Sequence, residues 1–102
     1  MGEEWMKLLT PEHFEPWVGR KVRVNTLPEP VELTLERIER RAPLARAIDF
    51  REPFSLFFDA PPKVYLLDET YEFDCGRGGP YSIFITQLMP SPDRRHYQAV
   101  FA

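Results

Sequence analysis

Apolar and polar residues alternate along most of this 102-residue chain. Such alternation is typical of strands that present one face to a core and the other to solvent. In "KVRVNT", for example, Val22 and Val24 alternate with Lys21 and Arg23. Six stretches of this kind predict strands near residues 20–26, 31–40, 47–58, 70–75, 81–89 and 96–101.

The second of these stretches, "VELTLERIERR", contains a break in the alternation. Leu33 and Leu35 share one face, but the next apolar residue, Ile38, follows after three positions instead of two. One extra residue in a strand is the signature of a β-bulge, so we expect a bulge near Glu36-Arg37. In the third stretch Pro53 cannot donate a ladder hydrogen bond, which predicts an edge, a bend or a break there.

The segment "LLTPEHFEPWVG" near the N-terminus has helix signals instead. Thr10 is a suitable N-cap, Pro11 suits the first helical position, and Gly19 can close the C-terminus. Pro16 would clash with the preceding turn of a longer helix. These residues predict a short helix near 11–17.

The turn "GRGGP" separates "TYEFDC" from "YSIFITQLM", and this arrangement predicts a hairpin. The segment "KVYLLDE" before it fits either a short edge strand or a loop. Closure into a barrel hides strand edges in so small a domain. We therefore predict one all-β domain over residues 1–102, a small closed or partly open antiparallel barrel of about six strands with one short N-terminal helix.

The main core is predicted from the inward parity of each strand. Its expected members are Val22, Val24, Leu33, Leu35, Ile48, Phe50, Phe54, Leu56, Phe58, Tyr71, Phe73, Ile83, Ile85, Ala99 and Phe101.

The stretch "REPFSLFFDAPP" places one phenylalanine, Phe57, on the opposite side from that core. Phe84, Leu88 and Val100 have the same outward parity in their own strands, so the pattern indicates a second apolar surface. In the interpretation favoured by the sequence, residues 5–18 cover this surface.

Two other interpretations of the second apolar surface remain open. In the first, the surface is an interface with a second copy of the chain or with another partner. The candidate residues of this interface are Phe57, Phe84, Leu88 and Trp17. In the second, the surface is a small-molecule site. Under the covering hypothesis, by contrast, Phe14 or Trp17 buries the apolar side chains of this surface, Phe57, Phe84, Leu88 and Val100.

Charge and composition narrow the classes of function. The net charge of −3 and the scattered Lys and Arg residues give no basic surface for nucleic acid. Apolar runs are too short to span a membrane, and the start "MGEEW" lacks the positive charge of a secretory signal, so we expect a cytoplasmic protein. Eleven prolines and ten Arg against three Lys suit a heat-adapted protein, although high-GC coding gives the same Arg bias.

Candidate catalytic and metal-binding residues are few. His13 and His96 show no metal-ligand spacing, and the single cysteine, Cys75, has no adjacent His to act as a base. Asp74 beside Cys75 would raise the pKa of its thiol. We predict a structural cysteine, no bound metal or cofactor, and no enzymatic activity.

Two other features have simple structural explanations. The loop "CGRGGP" could form an anion nest, but it lacks the phosphate-binding signature and is best explained as a hairpin turn with positive φ angles. The acidic residues Asp49, Asp59, Asp68 and Glu69 are expected to lie on solvated faces and turns.

Three motifs resemble those of a family of small bacterial domains of unknown function. They are Thr10, Phe14 and Gly19 in the opening, Pro53 to Phe58 in the aromatic strand, and Tyr97 to Phe101 at the end. The run "GRGGPYS" and the final Ala102 depart from the usual pattern. Members are often encoded near phage tail-collar-like proteins, so the resemblance implies an accessory or structural role in a tail-like assembly.

From the residues we expect a non-enzymatic structural or protein-interaction domain that acts through a protein partner or by self-association. The alternative is a small-ligand-binding β-barrel whose aromatic side chains form the walls of a pocket.

Overall fold

The structure is a computed structural model that describes residues 9–40 and 53–101. One turn of α-helix is followed directly by a turn of 3-10 helix, and six strands come after them. The elements are α1 (Pro11–Phe14), the 3-10 helix (Glu15–Trp17), β1 (Lys21–Val24), β2 (Val31–Arg40), β3 (Phe54–Ala60), β4 (Glu69–Asp74), β5 (Tyr81–Gln87) and β6 (Arg95–Phe101).

The six strands form a closed barrel in the order β1-β2-β3-β6-β5-β4, and every neighbouring pair is antiparallel. The pairing of β1 with β4, Val24 opposite Phe73, closes the ring. Closure gives every strand of the barrel a neighbour on both sides, which shortens the unpaired edges that in an open sheet would be a template for aggregation. The predicted all-β barrel with one short helix is confirmed.

The predicted strand positions agree with the observed ones to within a few residues. β3 ends at Ala60, two residues beyond the expected end at 58, and the part of the prediction over 47–52 lies outside the described residues. Residues 63–68 form no strand, so the segment "KVYLLDE" is mainly a loop whose last residue begins β4.

The predicted bulge in β2 is confirmed. Its register with β3 shifts between Leu35 and Arg37, so Leu35 lies opposite Phe58 and Arg37 lies opposite Phe57. The extra residue restores the alternation, and Ile38 therefore faces the core side together with Leu56. The spacing of the apolar residues in the sequence follows from this bulge.

The N-terminal segment fills one end of the barrel. Thr10 is the N-cap and its amide donates to His13 Nδ1 at 2.9 Å, Pro11 is at the first helical position, and Gly19 has a φ of 81° after the 3-10 helix. These predicted signals are confirmed. Phe14 and Trp17 project from this segment and are fully buried.

The other end of the barrel is covered by the β3–β4 connection, which crosses from one side of the ring to the other. Two residues of this loop, Val64 and Leu66, are buried although they belong to no strand. The hydroxyl of Tyr97 on β6 holds the loop, because it donates to the carbonyl of Val64 and accepts from the amide of Leu66, each at 2.9 Å.

Eleven predicted core residues are buried, whereas Tyr71 and Phe101 are partly buried against the core, and Ile48 and Phe50 lie outside the described residues. The buried eleven are Val22, Val24, Leu33, Leu35, Phe54, Leu56, Phe58, Phe73, Ile83, Ile85 and Ala99.

Candidate functional site

The interior of the barrel is occupied by its own side chains. The buried apolar residues form a single cluster that includes side chains from all six strands, from the N-terminal segment and from the β3–β4 loop. Close packing of this kind is the usual content of a small barrel. Candidate binding sites are therefore sought on the outside of the barrel and at its ends.

The first candidate is the outer face of β5 and β6. Thr86 lies opposite Gln98, and extending this antiparallel register by two residues, back along β5 and forward along β6, leads to Phe84 and Val100. Both apolar side chains are exposed, Phe84 by 54% and Val100 by 57%. Leu88 at the end of β5 is half-buried, and its amide donates to the carbonyl of His96. We call these three apolar residues, Phe84, Leu88 and Val100, the outer apolar face.

Phe57 lies next to this face but is covered by a cation. The guanidinium carbon of Arg37 stands 4.1 Å from the centroid of the Phe57 ring. Contacts of this type contribute about 0.5–1 kcal/mol at exposed sites. The β2 bulge brings Arg37 opposite Phe57, so the wrong-side phenylalanine packs beneath a side chain of its neighbouring strand.

The hypothesis that Phe14 and Trp17 cover the second apolar surface is wrong. Both side chains point into the barrel, where Phe14 meets Phe54 at 6.0 Å between ring centroids and Phe101 at 5.6 Å. Trp17 is fully buried and cannot contact a partner, so it does not belong to the candidate interface. The N-terminal segment thus packs its two aromatic side chains against strand residues at this end of the ring.

The loop "GRGGP" supports the Trp17 side chain. The indole Nε1 donates to the carbonyl of Arg77 at 2.9 Å, and the Trp17 ring stacks on Tyr81 with centroids 5.7 Å apart. Gly78 has a φ of 82°, and a Cβ there would lie 3.0 Å from the Tyr81 hydroxyl. The predicted turn with positive φ angles is confirmed. The Gly76 amide donates to the Asp74 carboxylate, so the loop already satisfies this amide with a residue of its own chain.

The candidate catalytic residues do not meet one another. His13 bonds to Thr10, His96 Nε2 lies 3.0 Å from Ser91 Oγ, and the Cys75 thiol points to the carbonyl of Lys21. Burial raises the pKa of the Cys75 thiol; two nearby arginines oppose the shift and Asp74 adds to it. Among the described residues, no group of His, Cys, Asp or Glu could hold a metal ion.

The acidic residues serve turns and surface pairs. Asp59 Oδ1 lies 3.1 Å from Arg94 Nη2, and Asp68 accepts the Gln87 amide at 2.8 Å. Glu69 is exposed at the start of β4, and Asp49 lies outside the described residues. Asp68 and Glu69 follow the expectation of solvated turns, whereas Asp59 is half-buried.

A second candidate site, not predicted from the sequence, is an open groove of about 740 Å³ at the β3–β4 loop end. The β1–β2 loop forms one wall with Leu27, and the β3–β4 loop forms the other with Tyr65 and Leu67. Val31 and Tyr71 also line the groove. We call this the loop-end groove. Three of the lining residues, Tyr65, Leu66 and Leu67, belong to the run "VYLL". This apolar run is the sequence feature that could have indicated the groove.

Tyr97 at this end allows a prediction about stability. In Tyr97→Phe the Val64 carbonyl and the Leu66 amide both lose a partner in a buried position, so we expect a loss of about 1–3 kcal/mol in the free energy of unfolding. Urea unfolding at pH 7 measures this loss. A loss near zero would mean that the hydroxyl does not hold the loop.

The same hydroxyl predicts a pH dependence. Burial raises the pKa of Tyr97 above the value of about 10 for an unfolded tyrosine. The folded state thus prefers the neutral phenol, so this stabilisation is complete below pH of about 10 and is lost as pH rises through the folded pKa. The difference between wild type and Tyr97→Phe should narrow above that pH; a constant difference would contradict the prediction.

The fold and these surfaces define a class, a closed six-stranded antiparallel barrel with a filled interior and apolar side chains on its outside. The family model described as Domain of unknown function (DUF6916) matches residues 9–101, and the chain belongs to this family. No curated protein and no solved structure matches the chain. Within the described residues, no helix has both the length and the apolar character needed to cross a membrane.

Proposed function

We propose that this domain is a non-enzymatic protein-interaction module that contacts its partner through the outer apolar face. The observation that carries the proposal is the exposure of Phe84 and Val100, two large apolar side chains on the neighbouring strands β5 and β6. Large apolar side chains exposed side by side are typical of protein interfaces. Aromatic residues are also enriched at the centres of such interfaces.

The chemistry around the face supports an interaction role over catalysis. Thr86 and Gln98 lie between the apolar residues and add neutral hydrogen-bonding groups. Interfaces combine an apolar centre with polar groups of this kind. His96 at one end of the face is engaged with Ser91, and Cys75 lies directly after β4, in the β4–β5 loop.

The three sequence motifs resemble those of a family of small bacterial domains, and this resemblance indicates where such an interaction would take place. It favours an accessory or structural role in a phage-tail-like assembly, where small β-domains bind other proteins of the assembly. Contact through an outer strand face would leave the barrel closed and its hydrogen-bonded ring intact.

The alternative is a small-ligand-binding barrel. The observation in its favour is the loop-end groove, whose volume of about 740 Å³ lies within the range of small-molecule pockets. The barrel interior is filled, so a ligand of this alternative would bind at the end of the barrel and not within it. A thermal-shift screen with apolar metabolites supports it if one compound class raises the melting temperature.

The test of the interaction module is affinity purification from cells that naturally produce the protein, with mass spectrometry of what is recovered. The wild type should recover a specific protein, or an untagged second copy of the chain, and Phe84→Glu should lose it. Placing a carboxylate at the centre of an apolar interface costs several kcal/mol of binding free energy when no partner charge meets it.

The matched control is Val18→Glu, which places the same charge on an exposed apolar residue that belongs to neither the outer apolar face nor the loop-end groove. Circular dichroism must show that both variants keep the fold. Equal recovery by the wild type and Phe84→Glu would rule out the outer apolar face as the interface.

A further inference from the structure

We propose that the partner of the outer apolar face adds an extended, uncharged segment of its chain to an unpaired edge of β5 as a further strand. This inference rests on the function proposed above and names the kind of segment that the partner presents. It is carried by the pairing of β5 with its two neighbours, by the direction of the backbone groups along β5, and by the residues around them.

β5 and β6 pair over only part of their length. The pairing stops at Thr86 and Gln98, whereas β5 begins five residues earlier, at Tyr81, and β6 continues for three residues beyond Gln98. From Tyr81 to Ile85, β5 is paired with β4 on one side and, within residues 9–40 and 53–101, with no strand on the other. We call this unpaired side of Tyr81–Ile85 the free edge of β5.

Two hydrogen bonds show which way the backbone groups of the free edge point. The Leu88 amide donates to a carbonyl of β6, so residues of the same parity in β5, Ser82 and Phe84, also turn their amides and carbonyls towards β6. The Glu72 carbonyl accepts from the Asn25 amide on the far side of β4, so Glu72 and its cross-strand neighbour Ser82 do not bond to each other. The backbone groups of Ser82 and Phe84 are therefore available at the free edge.

The inner side of the barrel is filled behind the free edge. The Phe14 ring packs against both strands, with its centroid 5.4 Å from that of Tyr81 on β5 and 5.6 Å from that of Phe101 on β6. A segment that joins the free edge therefore does not enter the core. Its side chains meet the outside of the barrel, where Phe84 and Val100 are exposed.

The outward side chains of β5 and β6 beside the free edge are uncharged. They are Ser82, Phe84, Thr86, Gln98 and Val100. A charged side chain placed among them would lose water without gaining an opposite charge, whereas a valine or threonine would pack beside Phe84 and Val100. The chemistry of the site therefore selects an uncharged segment.

A free strand edge selects an extended segment, because its regularly spaced amides and carbonyls match those of another strand. In this mode of recognition the backbone hydrogen bonds give affinity and the side chains give specificity. A second copy of the barrel fits less well, because its own β5 is bordered by the end of its β6, and the two β6 ends would meet before the edges could pair. A single extended segment of a partner has no such neighbours.

The experiment titrates the full-length protein into a fluorescein-labelled peptide of alternating valine and threonine with a terminal lysine pair for solubility, and follows fluorescence anisotropy. A second peptide has the same side chains and N-methyl groups on its central amides, and a third has glutamate in place of threonine. We expect the first peptide to bind. The methylated peptide should bind at least about tenfold more weakly, because it cannot donate to the carbonyls of the free edge. The glutamate peptide should also bind more weakly.

Two variants at one exposed position locate the binding. Ser82→Pro removes an amide of the free edge without removing a bond to β4, so we expect it to fold and to bind the valine–threonine peptide about tenfold more weakly. Ser82→Ala changes the side chain and keeps the amide, and it should bind like the wild type. Circular dichroism verifies the fold. If Ser82→Pro does not fold, the comparison of the two valine–threonine peptides on the wild type decides.

Any of four outcomes would overturn the proposal. They are no binding of the unmethylated peptide, equal binding of the methylated one, equal affinity of Ser82→Pro and Ser82→Ala, and a wild-type dimer in sedimentation that Ser82→Pro splits. The last outcome would assign the free edge to a second copy of the chain.

The recovery test with native extract separates this proposal from the function on which it rests. Loss of the recovered protein in both Phe84→Glu and Ser82→Pro, with recovery by Ser82→Ala, is the expected result. Loss in Phe84→Glu alone would keep the outer apolar face as the interface and overturn strand addition. Recovery by all the variants would overturn the proposed function itself.

Discussion

Trp17→Ala is expected to lower the free energy of unfolding by about 3–5 kcal/mol, as truncation of a buried Trp generally does. The side chain is fully buried at the N-terminal end of the barrel, edge-on to Phe14 at 5.1 Å and stacked on Tyr81. Its removal leaves a cavity and deprives the carbonyl of Arg77 of its donor. Urea unfolding followed by far-ultraviolet circular dichroism measures the loss.

The size of this loss matters because domains of this kind have only about 5–15 kcal/mol of stability in total. Trp17→Phe is the matched control, since it keeps most of the apolar volume and removes the indole N–H; we expect it to lose clearly less than the alanine variant. Val18→Ala, at the exposed neighbouring position, should change stability little. A Trp17→Ala loss below about 1 kcal/mol would show that the N-terminal segment does not fill the barrel.

The strands of this fold could be predicted because apolar and polar residues alternate in step with buried and exposed positions. In β1, for example, the inward Val22 sits between the outward Lys21 and Arg23, and this period of two is typical of a strand. Even the bulge was visible, since the three-residue step from Leu35 to Ile38 has no other explanation in a continuous strand.

The ends of the barrel could not be predicted in the same way. A helix of one turn has no periodicity that identifies the face it packs against, so the sequence does not show that Phe14 and Trp17 enter the barrel. The indole of Trp17 needs a hydrogen-bond acceptor when buried, and that acceptor, the carbonyl of Arg77, is 60 residues away along the chain. Such a pairing depends on the closure of the ring and not on local sequence.

The β3–β4 loop posed a similar difficulty. Val64 and Leu66 follow an alternating pattern, but they face the core as part of a crossing loop and not of a strand. The loop-end groove was missed for the same reason, because Leu27 and Leu67 come together only when the β1–β2 and β3–β4 loops meet at one end of the barrel. The outer apolar face, in contrast, follows from strand parity, and Phe84 is exposed where that parity placed it.

Phe57 and Phe58 provide the final test, because two adjacent phenylalanines lie on opposite faces of one strand. Phe58→Ala is expected to cost about 3–5 kcal/mol in the free energy of unfolding, since its ring is fully buried and packs 5.1 Å from the Phe73 ring between centroids. Phe57→Ala removes a half-buried ring under Arg37, and we expect a loss of about 1 kcal/mol.

The two variants change the same chemical group at neighbouring positions, so effects on the unfolded chain nearly cancel and the difference reports burial. Urea unfolding under identical conditions gives both values, and equal slopes of the two unfolding curves would show that the comparison is valid. We expect Phe58→Ala to lose more stability than Phe57→Ala because the bulge in β2 places Arg37 opposite Phe57 and Leu35 opposite Phe58. Equal losses, or a larger loss at Phe57, would mean that β3 presents the opposite face to the barrel interior.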